Sequence, residues 1–179
     1  MSTLGDHLKN REIILLDGGV STEIQQRGVS MNDDVWSGIV HRTHPEITLQ
    51  VHEDYIRAGA QVITANTFST ARHVLESIDL GDQVRSINEE AVQLAKMARD
   101  NTADDEVWIA GSISSMAPFN NEEEVAVGER VESNYREMTE ILAQSGVDLF
   151  IVEMMRETVN SILIIDCLLY TSPSPRDRG

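Results

Sequence analysis

The segments AGAQVITAN (58–66) and SGVDLFIVE (145–153) repeat one unit: a helix end, a glycine, a turn and an apolar strand. Asn66 lies seven residues after Gly59, and Glu153 lies seven after Gly146. Two further apolar runs, EIILLD (12–17) and VWIAGS (107–112), end on Asp17 and Ser112. Between the runs lie segments with helical spacing. TLQVHEDYIRAG (48–59) puts Leu49, His52, Tyr55 and Ile56 on one face, and INEEAVQLAKMARD (87–100) turns Ile87, Ala91, Leu94, Ala95 and Ala98 inward. ERVESNYREMTEILAQSG (129–146) is a third helix, closed by Gly146. The order is β, α, β, α, β, α, β, with strands too apolar to face water on either side. Such strands form a parallel sheet covered by helices.

In a parallel sheet of this kind, ligands bind at the C-terminal strand ends, whether the sheet closes as a (β/α)8 barrel or stays open and doubly wound. Four strands that end on Asp17, Asn66, Ser112 and Glu153 therefore mark a candidate site. Asp17 either caps the turn that follows it or faces a ligand. The shared pattern favours the ligand. Gly18 and Gly19 would let the backbone turn sharply and approach that ligand closely. THPEI (43–47) opens the 48–59 helix, with Thr43 and Glu46 spaced as a capping box and Pro45 in the first turn.

The chain has 179 residues and a formal charge of −16, which argues against nucleic acid and anionic membranes as partners. The start MSTLGDHLKNRE has no basic-then-apolar leader pattern, and the longest apolar run, 162–170, is broken by Asp166. A cytoplasmic protein is the expectation. Cys167 is the only cysteine, so no internal disulfide is expected. His41 and His44 have no partner ligands at metal spacing, and His52 reads as a packing or exposed residue. NNEEE (120–124) reads as a solvated loop.

Taken in order, LLDGGVSTEIQQRG, DDVWSGIV, HPEI, VHEDYIRAGAQVITANTF, IAGSI and SGVDLFIVE resemble the homocysteine S-methyltransferase family, from about Ile13 to about Glu153. The resemblance implies the N-terminal half of a (β/α)8 TIM barrel, about four βα units. It implies transfer of a methyl group from a sulfonium, betaine or folate donor to homocysteine, activated as its thiolate by zinc. Asp17 and Glu153 match the positions that hold the homocysteine amino group, although Glu153 could also be an ion-pair partner at a helix start. Asn66, Thr67 and Phe68 match the motif lining the pocket, with Asn66 also read as a turn former and Phe68 as wall. Thr22 opens the segment after the glycines, and Glu23 reads as a helix-start residue. The family's zinc ligands are cysteines, expected at a strand end and in a Gly-Gly-Cys-Cys-like pair of a missing C-terminal half. This chain is therefore expected to bind no zinc, to carry no catalytic residue of its own, and, with strand edges unpaired, to be poorly soluble or to associate with itself.

Two departures fall on the donor side: GSISSMAPF (111–119), where the family has a Gly-Pro turn, and Met154-Met155, where Thr follows the glutamate. They leave the methyl donor open. The ending CLLYTSPSPRDRG (167–179) resembles a translated sequencing-library adapter, so residues 1–166 are expected to be the partial domain and 167–179 a non-native tail. Two other readings share the pattern. One is another α/β-barrel enzyme such as an aldolase, although Lys9 and Lys96 lie away from the strand ends. The other is a non-catalytic amino-acid-binding barrel.

Overall fold

A computed structural model of the chain describes residues 3–114, 129–155 and 157–171. Three parallel strands form the sheet: β1 (Val62–Thr64), β2 (Trp108–Ser114) and β3 (Leu149–Glu153), in the order β1-β2-β3. The order follows the chain. The reversal that defines a doubly wound sheet is absent among the described strands.

Segment 13–17 lies beside β1 but makes only a parallel bridge, Leu16 to Val62. Its inner side is held by Asp17 N–H donating to Val62 O at 3.0 Å and by Leu15 O accepting from Gln61 N–H at 2.8 Å. The fully buried strand expected here is not formed: Ile13, Leu15 and Leu16 are 85%, 53% and 59% exposed. A strand inside a parallel sheet needs a neighbour on both sides, and among the described residues this one has a neighbour on one. β1 is also shorter than the apolar stretch that runs to Asn66 in the sequence. Ala65 N–H makes one more bond to Ala110 O at 2.9 Å, and Asn66 then turns to bond Ser37.

After a short α1 (Leu4–Lys9) come α2 (Val20–Gln26), α3 (Val40–Thr43), α4 (Pro45–Arg57), α5 (Arg72–Glu76), α6 (Val84–Thr102), α7 (Glu129–Gln144) and α8 (Thr158–Thr171); α4, α6 and α7 pack on the sheet, and α2 and α3 pack with α4 in a separate cluster. The main core joins Ile63, Ile109 and Ile113 of the sheet to Ile87 and Ala95 of α6 and to Tyr135 and Leu142 of α7. On the other face a smaller cluster joins Val62, Trp108 and Ala110, with Leu4 of α1 packed against it. The His7 ring meets Trp108 edge-on at 5.3 Å. Gly59 and Gly146 close α4 and α7 at φ +100° and +76°, the left-handed region where only glycine is free of strain.

The capping box at Thr43 and Glu46 does not form. Pro45 is the first residue of α4, so His44 is its N-cap, and no side chain caps it. Thr43 instead bonds His44 Nδ1 at 2.9 Å. A capping box does form at Thr3 and Asp6, opening α1. α8 runs on through Cys167 to Thr171, and Cys167 is buried against the main core. Residues 172–179, the turn 115–119 and the NNEEE segment lie outside the described residues. Among the described residues no helix is long and apolar enough to cross a membrane.

Candidate active site

The C-terminal strand ends open into a cleft of about 540 Å³. Asp17, Gly18, Gly19, Asn66, Phe68, Ser112 and Glu153 all line it. The repeat in the sequence suggests that the polar strand ends share one level, but the register is staggered. Ser112 pairs with Ile151, and Glu153 pairs with Ser114, one pleat further along. A staggered register is what tilted strands of a barrel require. Ser112 bridges the step: its hydroxyl donates to Glu153 Oε1 at 2.5 Å.

Asp17 is fixed by Thr64. The Thr64 N–H donates to Oδ2 at 2.7 Å and the Thr64 hydroxyl donates to Oδ1 at 2.8 Å. Burial raises the Asp17 pKa above the ordinary 3.8; the Thr64 bonds oppose this, and the nearby Glu153 charge adds to it. Two carboxylates thus face one cleft, and among the described residues no positive side chain lines it. Such a site favours a cationic group between them.

Gly18 and Gly19 serve differently from the sharp turn expected of them. Neither has a positive φ. A Cβ at Gly18 would stand 2.7 Å from Tyr55 Oη and 3.1 Å from its ring, so this glycine lets α4 pack beneath the cleft floor. Gly19 is the N-cap of α2. Thr22 lines the cleft, and Glu23 sits in the first turn of α2, 3.8 Å from Arg27.

Asn66 is buried. Its amide donates to Ser37 O at 2.7 Å and accepts from Ser37 Oγ at 3.0 Å. Thr67 stands behind the wall, where its hydroxyl donates to Ser112 O at 2.9 Å and accepts from Ser112 N–H at 3.0 Å. It therefore ties the ends of β1 and β2 together. Phe68 meets Trp36 at a ring distance of 6.0 Å. Trp36, Thr64 and Met154 line the cleft without having been singled out as binding residues in the sequence. Trp36 and Met154 both hold positive φ, 50° and 55°, a conformation that non-glycine residues keep where the surroundings impose it. Met155, by contrast, packs against the core.

The described residues contain no group of three or more His, Cys, Asp or Glu able to hold a metal. The cleft offers two carboxylates and neither a thiol nor an imidazole. That donor set does not fit a thiolate-bound zinc. His41 and His52 are buried away from the cleft, and His44 stands at the N-cap position of α4. No lysine lines the cleft, and Lys96 donates to Ser145 O at the end of α7.

The chain is thus a parallel α/β sheet with an acidic, partly aromatic cleft at its C-terminal strand ends, where α/β folds of this kind place their ligands. The chain belongs to the homocysteine S-methyltransferase family, whose sequence profile matches residues 14–173. The homocysteine S-methyltransferase of Escherichia coli (strain K12) is 31% identical over 161 residues, covering 83% of this chain and 52% of that protein. The selenocysteine methyltransferase of Astragalus bisulcatus is 25% identical, covering 86% of this chain and 54% of its own length. The crystal structure of the homocysteine methyltransferase MmuM from Escherichia coli, in its oxidized form, superposes with a TM-score of 0.82 at 26% identity, covering 95% of this chain and 62% of that one. Its metallated form superposes with a TM-score of 0.77. The chain thus spans about half the length of the curated relatives it matches.

Proposed function

We propose that this chain forms the amino-acid-binding half of a homocysteine S-methyltransferase site, built on the first four strand positions of an eight-stranded barrel. The whole reaction would move a methyl group from a sulfonium, betaine or similar donor to the homocysteine sulfur, giving methionine. The observation that carries this reading is the pair Asp17 and Glu153, held by Thr64 and Ser112 on either side of one cleft. An α-ammonium placed between them would offset the burial and, to a lesser extent, the Glu153 charge that raise the Asp17 pKa. Met154 and Trp36, on the cleft wall, are the residues a methyl donor would meet. Zinc would supply thiolate activation in the family. The donor set of this chain does not fit it, so the role assigned here is to bind and orient the amino acid.

Calorimetric titration with homocysteine tests this reading. Charge-assisted hydrogen bonds contribute about 1.5–3 kcal/mol, so Glu153→Gln and Asp17→Asn should each weaken binding about tenfold or more. Binding should also weaken as the pH falls towards the raised Asp17 pKa, beginning above 3.8, because a protonated Asp17 no longer attracts the ammonium. Folded variants that bind within about twofold of the parent chain would contradict the proposal.

A further inference from the structure

β2 lies between β1 and β3, so its backbone groups need partners on both sides. On the β1 side the bonding is regular as far as Ala65. Trp108 N–H donates to Gln61 O at 2.9 Å, and Ala65 N–H donates to Ala110 O at 2.9 Å. With Thr64 in register with Ala110, two more ladder bonds would follow: Ser112 N–H to Ala65 O, and Thr67 N–H to Ser112 O. The strand pairing stops short of them. Thr67 N–H turns back to Ala65 O at 2.7 Å, a three-residue turn that lifts the chain out of the sheet. The Thr67 side chain takes both ladder places instead. Its oxygen accepts from Ser112 N–H at 3.0 Å, and its proton goes to Ser112 O at 2.9 Å, nearer than Ala65 O at 3.5 Å.

Leaving the ladder allows Asn66 to bond Ser37 and Phe68 to line the cleft, while Ser112 stays fixed. Ser112 is fully buried. Without the Thr67 hydroxyl, its N–H and its C=O would both lose their partner in the interior, and the residue would shift to recover one. The Ser112 hydroxyl is also the donor to Glu153 Oε1 at 2.5 Å. A shift of Ser112 is therefore a shift of the group that holds the Glu153 carboxylate.

We propose that Thr67 is a positioning residue for the ligand's ammonium group, acting through Ser112 on Glu153. Thr67 is fully buried and stands outside the lining of the cleft, so it acts without touching the ligand. A hydroxyl that only stabilised the fold would change the folded fraction and leave the affinity of the folded protein as it was. A positioning hydroxyl changes that affinity, and does so only while Ser112 carries the hydroxyl that reaches Glu153. The inference rests on the reading of Asp17 and Glu153 as the ammonium site.

A double-mutant cycle on the full 179-residue chain, read by calorimetric titration with homocysteine, tests this. Thr67→Val keeps the shape of threonine and removes the hydroxyl. Thr67→Val and Ser112→Ala should each weaken binding about tenfold, the loss expected for one charge-assisted hydrogen bond. The double variant should bind within about twofold of Ser112→Ala, because the two changes remove one and the same link. Thr67→Ser keeps the hydroxyl and should bind within about twofold of the parent chain. If Thr67→Val does not fold, Thr67→Cys replaces it in the cycle with the same expected coupling, since a thiol is a weak donor and acceptor. Three results would overturn the proposal: a folded Thr67→Val that binds as the parent does, losses that multiply to about a hundredfold in the double variant, or a Thr67→Ser as weak as Thr67→Val. Glu153→Gln tells the two readings apart. If it binds as tightly as the parent, the ammonium site falls and this inference with it. If it weakens binding while Thr67→Val does not, the positioning role alone falls.

Discussion

Lowering the pH from 6.5 to about 4 should remove several kcal/mol of folding stability, and two buried histidines should account for it. His41 on α3 and His52 on α4 are 2% and 0% exposed, and burial lowers the pKa of each from 6.5 to about 4. His41 Nε2 donates to Ile87 O at 2.9 Å, while Nδ1 has no partner among the described residues. Neither ring nitrogen of His52 has one. The charged groups facing His41 are Glu90, which favours its protonation, and Arg42, which opposes it; a charge on His41 in turn opposes one on His52. The folded state holds both rings neutral, whereas the unfolded chain takes up protons from about pH 6.5. Stability is therefore complete above pH 6.5 and falls as the pH drops towards 4, by up to about 1.4 kcal/mol per pH unit for each ring. A domain of this size has about 5–15 kcal/mol in total, so the loss is large. Urea denaturation at pH 7 and pH 5 reads it. His52→Leu should flatten the pH profile without loss at pH 7, because it breaks no hydrogen bond. A variant profile that overlays that of the parent chain would reject the assignment.

Gly38→Ala should destabilise the fold by about 3 kcal/mol, at the upper end of what overpacking costs. A Cβ there would lie 2.8 Å from Ser69 O, 2.9 Å from Ser69 Oγ and 2.9 Å from Val35 O. Two of these atoms are backbone carbonyls that cannot swing aside. The loop is pinned on every side: Gly38 N–H donates to Val35 O at 2.7 Å, Ser69 Oγ donates to the same oxygen at 2.7 Å, and Ser37 holds Asn66. Making room would shift Trp36 and Asn66 together, so the cleft would change with the stability. Gly5→Ala is the control. Gly5 lies in exposed α1, where the nearest atom to a new Cβ is Thr3 Oγ1 at 3.6 Å, and the change should be neutral or stabilising by a few tenths of a kcal/mol. Equal denaturation midpoints for the two variants would contradict this account.

The elements legible in the sequence are those whose signal is local. α6 and α7 follow from their helical spacing, β2 and β3 from their apolar runs, and the ends of α4 and α7 from Gly59 and Gly146, which adopt the left-handed conformation that ends a helix. Polar residues closing apolar strands located the cleft, because that pattern depends only on where a strand stops being buried. What was not legible depends on partners distant in the chain. Ile13 to Asp17 reads as a buried strand, but burial needs neighbours on both sides, which the run itself cannot supply. The stagger that offsets Glu153 from Ser112 comes from strand tilt, and a single strand does not encode it. Thr64 lies inside an apolar run, and only the fold shows that it clamps Asp17. Trp36 and Gly38 belong to a loop held by Ser69 and Asn66, about thirty residues away. His52 falls on the inward face of α4 by its spacing, but its complete burial and lack of partners among the described residues come from α3 and α6 packing on that helix.

The central claim is that Asp17 and Glu153 hold the ammonium of an amino acid, and amide chemical-shift mapping with two ligands tests it most directly. Homocysteine should perturb the backbone amides of Gly18, Thr64, Ser112 and Glu153, the groups that surround the two carboxylates. 4-Sulfanylbutanoate, which keeps the thiol and the carboxylate but lacks the ammonium, should leave them unmoved at the same concentration. Equal perturbation by both ligands, or shifts confined to residues outside the cleft, would contradict the account.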